Sequence, residues 1–84
     1  MHIIRYSIVE YDKDNKLYLS SPLENKNFFT QAYEAAGEIM KLFPDFDNHL
    51  IQYHDGLYEV VDLNTTKIVK YYKIAKVELT LLEY

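Results

Sequence analysis

Cysteine is absent from this chain, and glycine and proline are scarce, with two of each among 84 residues. Without cysteine, disulfide bridges and thiolate nucleophiles are excluded. The two isolated glycines, Gly37 and Gly56, leave no glycine-rich loop of the kind that cradles a phosphate group. A domain of this length buries only about 60% of its unfolded surface. Its small core must therefore be stabilised by close packing or by association with another subunit.

Long apolar runs are missing as well. No segment approaches the roughly 20 consecutive apolar residues that cross a membrane. The segment MHIIRYSIVEY at the N-terminus lacks the basic stretch and long apolar stretch of a secretory signal. We therefore expect a single cytoplasmic domain over residues 1–84 that does not enter a membrane. Frequent Ile, Lys, Asn and Tyr are typical of small proteins from AT-rich phages or mobile elements, so the composition is phage-like.

Charge is distributed unevenly along the chain, whose net charge is −4. Residues 10–62 hold eleven acidic residues against four lysines, whereas residues 63–84 hold four lysines against two glutamates. Duplex nucleic acid is bound by clustered Lys and Arg that neutralise phosphates, so the acidic centre argues against a general duplex-binding surface. Nine tyrosines are the other unusual feature. They fit either an aromatic core or a recognition surface.

Residues 27–43, NFFTQAYEAAGEIMKLF, form the one segment with clear helical periodicity. Polar residues, among them Glu34 and Glu38, fall on one side of this helix. The apolar side consists of Phe28, Ala32, Ala35, Ala36, Ile39, Leu42 and Phe43. Asn27 can cap the first turn, and Pro44 ends the last turn because the residue before a proline avoids the helical region. The pattern predicts an amphipathic helix that buries one side.

The alternation of apolar and polar residues over 2–11 predicts a half-buried strand. The turn sequence DKDN then leads into a second, short strand. A four-residue loop places Tyr11 opposite Lys16. With that register Leu17 falls on the same face as Ile8, which supports a hairpin with one apolar face.

The strongest turn signal is Asp55-Gly56, which stands between two segments rich in β-forming residues, as a two-residue hairpin requires. Counting outward from this turn gives the pairs His54–Leu57, Tyr53–Tyr58, Gln52–Glu59, Ile51–Val60 and His49–Asp62. We expect one face of this hairpin to point inward, towards the helix. That face carries Ile51, Tyr53, Tyr58 and Val60.

A further hairpin is predicted at LNTT, residues 63–66, although no glycine is present there to adopt a left-handed conformation. The predicted pairs are Val60–Val69, Tyr58–Tyr71 and Glu59–Lys70. This register keeps apolar residues on one face and places opposite charges across from each other on the other face. The agreement between the two turns predicts a three-stranded meander.

The tail, residues 73–84, alternates as a strand does but also fits a helical spacing. Because nothing caps a helix start there, we favour a strand. The expected fold is α+β. A single amphipathic helix packs on an antiparallel sheet, in the order ββαβββ with a sixth strand in the tail.

Side chains that commonly bind metals occur together in one segment: Asp45, Asp47, His49, His54 and Asp55. The hairpin register turns His49 and His54 to opposite faces of one strand, so that they cannot share an ion. We instead expect His49 to hydrogen-bond to Asp62 across the hairpin. No serine or threonine stands at a recognisable motif spacing from a histidine. We therefore expect no enzyme activity, no metal site and no cofactor.

Two sets of residues predict a protein-binding site. The first is an acidic strip, Glu34, Glu38, Asp45 and Asp47, which either keeps the protein soluble or steers it towards a basic partner. The second lies on the predicted outer face of the sheet, where Leu50, Val61 and Ile68 line up across three strands and Tyr72 follows further along. Contiguous apolar patches of this kind usually mark contact sites, so we expect this one to be covered by another subunit or by the C-terminal strand folding over it. Tyr18 and Leu57 fall on the same face.

The leading hypothesis is therefore a small acidic, non-enzymatic protein-binding module. It would act as an inhibitor or adaptor that docks on a basic surface of a nucleic-acid-handling protein. One alternative is a binder of single-stranded nucleic acid, which stacks bases on Tyr18 and Tyr72 with help from lysines such as Lys73. Another is a self-assembling structural subunit, such as a homodimer, in which the outer apolar patch pairs across a two-fold axis.

Overall fold

A single α-helix packs against one face of a five-stranded antiparallel sheet. The computed structural model describes residues 2–24, 27–43 and 47–80. In chain order the elements are β1 (His2–Asp12), β2 (Leu17–Tyr18), a 3₁₀ turn (Pro22–Glu24), α1 (Ala32–Lys41), β3 (His49–His54), β4 (Leu57–Asp62) and β5 (Lys67–Thr80). The strands lie in the order β2-β1-β5-β4-β3. The predicted α+β class and the order ββαβββ are confirmed.

The long strand β5 joins the two halves of the sheet. Its first half pairs with β4, and its residues from Tyr72 to Thr80 pair with β1. The strand predicted in the tail is the second half of this 14-residue strand. Residues 81–84 lie outside the described part of the chain. β1 and β5 therefore stand next to each other inside the sheet, with β2 and β3 at its edges.

The hairpin between β3 and β4 has the predicted register. Asp55 and Gly56 have φ angles of 52° and 78°, as a type I′ turn requires at both central positions. The observed pairs run from His54–Leu57 beside the turn to His49–Asp62 at the far end. Glycine adopts a positive φ without steric cost, and Asp is among the few other residues that tolerate it. These two turn residues fix the register of the hairpin.

A β-bulge in β5 changes the predicted register of the next hairpin. Beside the turn, Val61 pairs with Ile68, which agrees with the count from the sequence. One step further, Val60 pairs with Lys70, so Val69 has no partner on β4. One extra residue moves every following side chain to the other face of the sheet. The predicted pairs Val60–Val69, Tyr58–Tyr71 and Glu59–Lys70 are therefore wrong, and the observed pairs are Val60–Lys70, Tyr58–Tyr72 and Glu59–Tyr71.

The first hairpin is displaced by two residues from its predicted register. Tyr11 pairs with Tyr18, and the loop begins one residue later than expected. The Asp12 carboxylate accepts hydrogen bonds from the backbone N–H groups of Asp14 and Asn15, at 3.0 and 3.2 Å. These bonds close the turn behind Asp12 and extend β1 by one residue. A displacement of two residues leaves every side chain on its predicted face.

The helix begins later than predicted. α1 starts at Ala32, with Gln31 as its N-cap, rather than directly after Asn27. Before it, Phe29 forms an antiparallel bridge with Tyr6, and each backbone N–H donates to the other's carbonyl oxygen at 2.8 Å. Because β2 has only two residues, it leaves much of the outer edge of β1 uncovered. The bridge satisfies backbone groups on that edge, so tertiary pairing outweighs the helical periodicity. Pro44 lies outside the described residues.

The two faces of the sheet are covered differently. We call the face of the sheet under α1 the helix face. On this side, Glu38 of α1 and Leu42, the C-cap of the helix, line a cavity of about 300 Å³ together with Ile8 and Tyr72 of the sheet. The other side is the opposite face. Its buried residues are Ser7, Val9, Leu57, Glu59, Ala75 and Val77. The 3₁₀ turn contacts both β1 and β5. Val60 of β4 is buried on the helix face, so the sheet has buried side chains on both of its faces.

Few side chains hold α1 on the sheet. Its buried residues are Ala35 and Ile39, and Ile39 is one of the largest fully buried side chains in the described chain. Leu42, which the periodicity placed on the buried side, is half exposed. Ile39 is therefore the main apolar anchor of the helix.

No helix in the described part of the chain is long and apolar enough to cross a membrane.

Replacing Ile39 by Ala tests this anchor. We expect the free energy of unfolding to fall by about 2–4 kcal/mol, because the substitution removes buried methyl and methylene groups and leaves a cavity. Urea denaturation followed by circular dichroism measures the change. The matched control is Met40→Ala on the neighbouring, exposed position of the same helix, where we expect less than about 1 kcal/mol. Equal losses for the two variants would contradict this role of Ile39.

Candidate protein-binding face

Three apolar side chains line up across adjacent strands of the opposite face, as predicted. Leu50 of β3 pairs with Val61 of β4, and Val61 pairs with Ile68 of β5. We call these residues the apolar cluster. Leu50 is 50% exposed, and the other two side chains are half-buried. The bulge lies beyond Ile68, so it does not disturb this part of the sheet.

Two hydrogen-bonded turns border the apolar cluster. The backbone N–H of Leu63 donates to the carbonyl oxygen of Asn48 at 2.8 Å, and the side-chain amide of Asn64 donates to the Asn48 side chain at 3.1 Å. The Asp62 carboxylate accepts from the backbone N–H groups of Asn64 and Thr65, at 2.8 and 3.4 Å. These bonds tie the start of β3 to the end of β4. The cluster therefore lies on a well-supported corner of the sheet.

Tyrosines and lysines meet on the opposite face beside this cluster. The rings of Tyr11 and Tyr18 contact edge to face, with centroids 5.8 Å apart. The ammonium group of Lys73 lies 5.3 Å from the Tyr11 centroid and 6.0 Å from that of Tyr18, and Lys13 lies 5.4 Å from the ring of Tyr71. These are distances of cation–π contacts. We call these five residues the tyrosine–lysine cluster.

The tyrosine–lysine cluster differs from the aromatic pair expected from the sequence. Tyr18 lies on the predicted face, but Tyr72 does not: it points to the helix face, where its ring centroid is 6.2 Å from that of Phe43. The bulge is the reason, because it exchanges the faces of Tyr71 and Tyr72. The placement of Tyr72 on the outer face is therefore wrong. Tyr11 was missed as a surface residue, although its alternation with Val9 places it on this face.

The predicted acidic strip does not adjoin the apolar cluster as one surface. Glu34 is exposed on α1, on the other side of the sheet from Leu50. Glu38 is partly exposed and accepts a hydrogen bond from Lys41 at 3.2 Å, which offsets its charge. Asp47 is exposed just before β3, close to the cluster in the chain. Asp45 lies outside the described residues.

One carboxyl group and one phenol have displaced pKa values. The side chain and backbone N–H of Asn15 lower the pKa of Asp12 by hydrogen bonding to its ionised form. Burial raises the pKa of Tyr58, and the neighbouring Tyr53 contributes to the increase. The two rings lie 4.9 Å apart beside a cavity of about 220 Å³. A raised pKa keeps the Tyr58 phenol protonated, which disfavours it as a general base.

In the described chain, histidines and carboxylates meet in pairs and not in larger groups. No group of three His, Asp or Glu side chains there could hold a metal ion. His54 lies on the opposite face, 3.2 Å from the Asp55 carboxylate, whereas His49 lies on the helix face against the ring of Phe43. The predicted His49–Asp62 hydrogen bond is not formed, because the Asp62 carboxylate binds the following turn. Nδ1 of His49 is buried without a hydrogen-bond partner among the described residues.

The comparisons with known proteins add no further site. No protein-family model matches the chain, and neither does a curated protein sequence or a solved structure. A function must therefore be inferred from the surfaces of the molecule. Two of them combine exposed apolar or aromatic area with a regular, rigid support, namely the apolar cluster and the tyrosine–lysine cluster of the opposite face.

Proposed function

We propose that this protein is a small, non-enzymatic binding module that contacts another protein through the opposite face of its sheet. The alignment of Leu50, Val61 and Ile68 across three strands is the observation that carries this proposal. The backbone of paired strands is already ordered before binding, so a partner that covers these residues orders side chains but no main chain. A rigid apolar centre with a polar border is the usual composition of an interface.

The acidic net charge of the chain favours a basic partner. The chain has a net charge of −4, and Asp47 is exposed two residues before the strand that carries Leu50. An acidic protein is attracted at long range to a positively charged surface, which raises the rate of encounter. A nucleic-acid-handling protein offers such a surface next to its phosphate-binding groups. The module would then act as an inhibitor or adaptor by occupying that surface.

Leu50→Lys tests the proposed contact. Proteins that bind the immobilised wild-type chain are identified by mass spectrometry, and their affinities for the variant are measured by surface plasmon resonance. We expect a loss of at least about tenfold, because burying an unpaired charge in an apolar contact costs more than the 1.4 kcal/mol that corresponds to tenfold. Leu50 is half exposed, so the fold should tolerate the change.

The matched control is Leu19→Lys, which introduces the same charge at a leucine that is 55% exposed outside the opposite face. A partner specific for the apolar cluster should bind this variant nearly as well as the wild type. Circular dichroism should show that both variants remain folded. A partner that is retained equally by Leu50→Lys and the wild type would contradict the proposed contact.

Charge reversal at Glu34 and Glu38 tests the contribution of the helix carboxylates. Because these residues lie away from the apolar cluster, we expect the double variant Glu34→Lys/Glu38→Lys to slow association and reduce its salt dependence. Dissociation should stay nearly constant, since remote charges act mainly on the encounter rate. Association kinetics at several salt concentrations separate the two rates. An unchanged association rate would limit the charge on α1 to a role in solubility.

The tyrosine–lysine cluster supports a second candidate function, the binding of single-stranded nucleic acid. Aromatic rings can stack on bases while nearby lysines contact phosphates. Tyr18 is 38% exposed, and Lys73 already lies over two rings of the cluster. Against this candidate, lysines occupy the ring faces that a base would use, and the net charge of −4 repels phosphates.

Fluorescence anisotropy with a labelled single-stranded oligonucleotide at low salt distinguishes the two functions. For the protein-binding function we expect no binding at micromolar protein concentrations. If binding occurs, Tyr18→Ala should weaken it by about 1–3 kcal/mol, the contribution of one base stacked on an aromatic ring. Tyr33→Ala, at an exposed tyrosine on the helix, is the matched control. Binding that is lost with Tyr18 and retained with Tyr33→Ala would favour nucleic-acid binding over the first proposal.

A further inference from the structure

The two edges of the sheet are protected to different extents. At one edge, β2 covers the end of β1, and the bridge from Phe29 to Tyr6 covers part of the remainder. At the other edge, β3 has no neighbouring strand on its outer side in the described chain. Natural edge strands are usually protected by lysine, proline, a bulge or very short length. β3 has none of these: it runs for six residues, HLIQYH, and its pairing with β4 is regular.

The outward backbone groups of β3 follow from its hairpin. In a two-residue hairpin the residues next to the turn exchange both backbone hydrogen bonds, and every second pair does the same. His54, Gln52 and Leu50 therefore bond to β4. The next pair in this series agrees, because the N–H of Leu63 donates to Asn48 at 2.8 Å. Consequently, three residues direct their backbone N–H and C=O groups outward from the free edge, in the plane of the sheet: His49, Ile51 and Tyr53.

We infer that a second copy of this chain pairs with β3 in antiparallel orientation, so that two sheets join into one across a two-fold axis at Ile51. Antiparallel hydrogen-bonded pairing requires outward-pointing residues on both strands. The register centred on Ile51 pairs all three outward-pointing residues of each strand. Ile51 faces Ile51 of the second copy, and His49 of each copy faces Tyr53 of the other. No other register about a two-fold axis pairs all of the outward residues of both strands.

The side chains of this register are self-complementary. On the helix face, two isoleucines meet at the axis and an aromatic pair lies on either side of it, both favourable cross-strand combinations. On the opposite face, Leu50 lies beside Gln52 of the second copy. β3 contains no Lys, Arg, Asp or Glu, so no like charges face each other along the strand. Asp47 comes near Asp55 of the second copy only at the ends of the ladder, where both are exposed and screened by salt.

This pairing has a consequence for the proposed binding function, although it does not depend on it. A two-fold axis perpendicular to the sheet keeps both helices on one face of the joined sheet. The two apolar clusters then lie on the other face, on either side of the axis. The dimer would present two contact sites in a fixed orientation, which raises the avidity for a partner with a repeated surface.

Cysteine cross-linking tests the register directly, because the wild-type chain contains no cysteine. Hydrogen-bonded antiparallel partners have Cα atoms about 5.5 Å apart, which is within the range of a disulfide. Ile51→Cys should therefore form a covalent dimer under mild oxidation. The matched control is Tyr53→Cys on the same face: it is 65% exposed in the monomer, but the register holds its two copies about 14 Å apart.

Light scattering coupled to size-exclusion chromatography provides the second measurement. We expect the wild type to approach twice the 10.0 kDa mass of one chain as its concentration is raised. Ile51→Lys and Ile51→Glu should each lose the dimer, since like charges then face each other at the axis. An equimolar mixture of the two should restore it, which also shows that both variants remain folded.

Three results would overturn the inference: a wild type that stays at the mass of one chain, a Tyr53→Cys variant that cross-links as fast as Ile51→Cys, or a dimer that persists in Ile51→Lys. If the wild type stays at the mass of one chain, a strand from a different protein remains as the partner of the β3 edge. The second would indicate another register, and the third another surface. Leu50→Lys should retain the dimer, because Leu50 faces an uncharged glutamine across the axis, and this separates the edge contact from the proposed binding face.

Discussion

The rest of the sheet depends on the phase of β5, that is, on which of its alternating side chains point to each face. β5 pairs with β4 through its first half and with β1 through its second half, and Tyr72 pairs with both neighbours, so the faces taken by the side chains of one half determine those of the other. The unpaired Val69 sets that phase. It sends Tyr71 and Lys73 to the opposite face and Tyr72 under the helix. The aromatic packing against Phe43 and the cation–π contacts of Lys73 both follow from this one residue.

Local turn chemistry made part of the fold predictable. Asp55 and Gly56 can form a type I′ turn by themselves, so the register of β3 and β4 follows from two adjacent residues. The bulge has no comparable signal, because Val69 is an ordinary strand residue and not a glycine. The turn after β4 also works without glycine, since Thr66 takes the left-handed conformation with a φ of 60°. The start of the helix was wrong because Phe29 pairs with Tyr6, a contact between segments far apart in the sequence.

The same distinction explains the candidate site. The apolar cluster could be predicted because all three of its residues lie on the turn side of the bulge. Tyr72 could not, because it lies beyond the bulge. Glu34 was placed correctly on the solvent side of the helix, whereas Glu38 is partly exposed and lines the cavity between α1 and the sheet. Both residues lie on the other side of the sheet from the apolar cluster. Grouping them into one site required a knowledge of which elements lie on which side of the sheet.

The unequal edges of the sheet limit how it can grow. A sheet with two free edges can add strand after strand from further molecules and extend into a fibre. Here the short β2 and the Phe29 bridge cover part of one edge, whereas β3 has no neighbouring strand on its outer side in the described chain. Once two β3 strands have paired, no free edge of the same kind is left and the assembly is closed. A dimer joined at β3 would therefore carry the partly covered edge of β1 and β2 at each of its ends, which makes further growth of the sheet less favourable than the pairing of the two β3 strands.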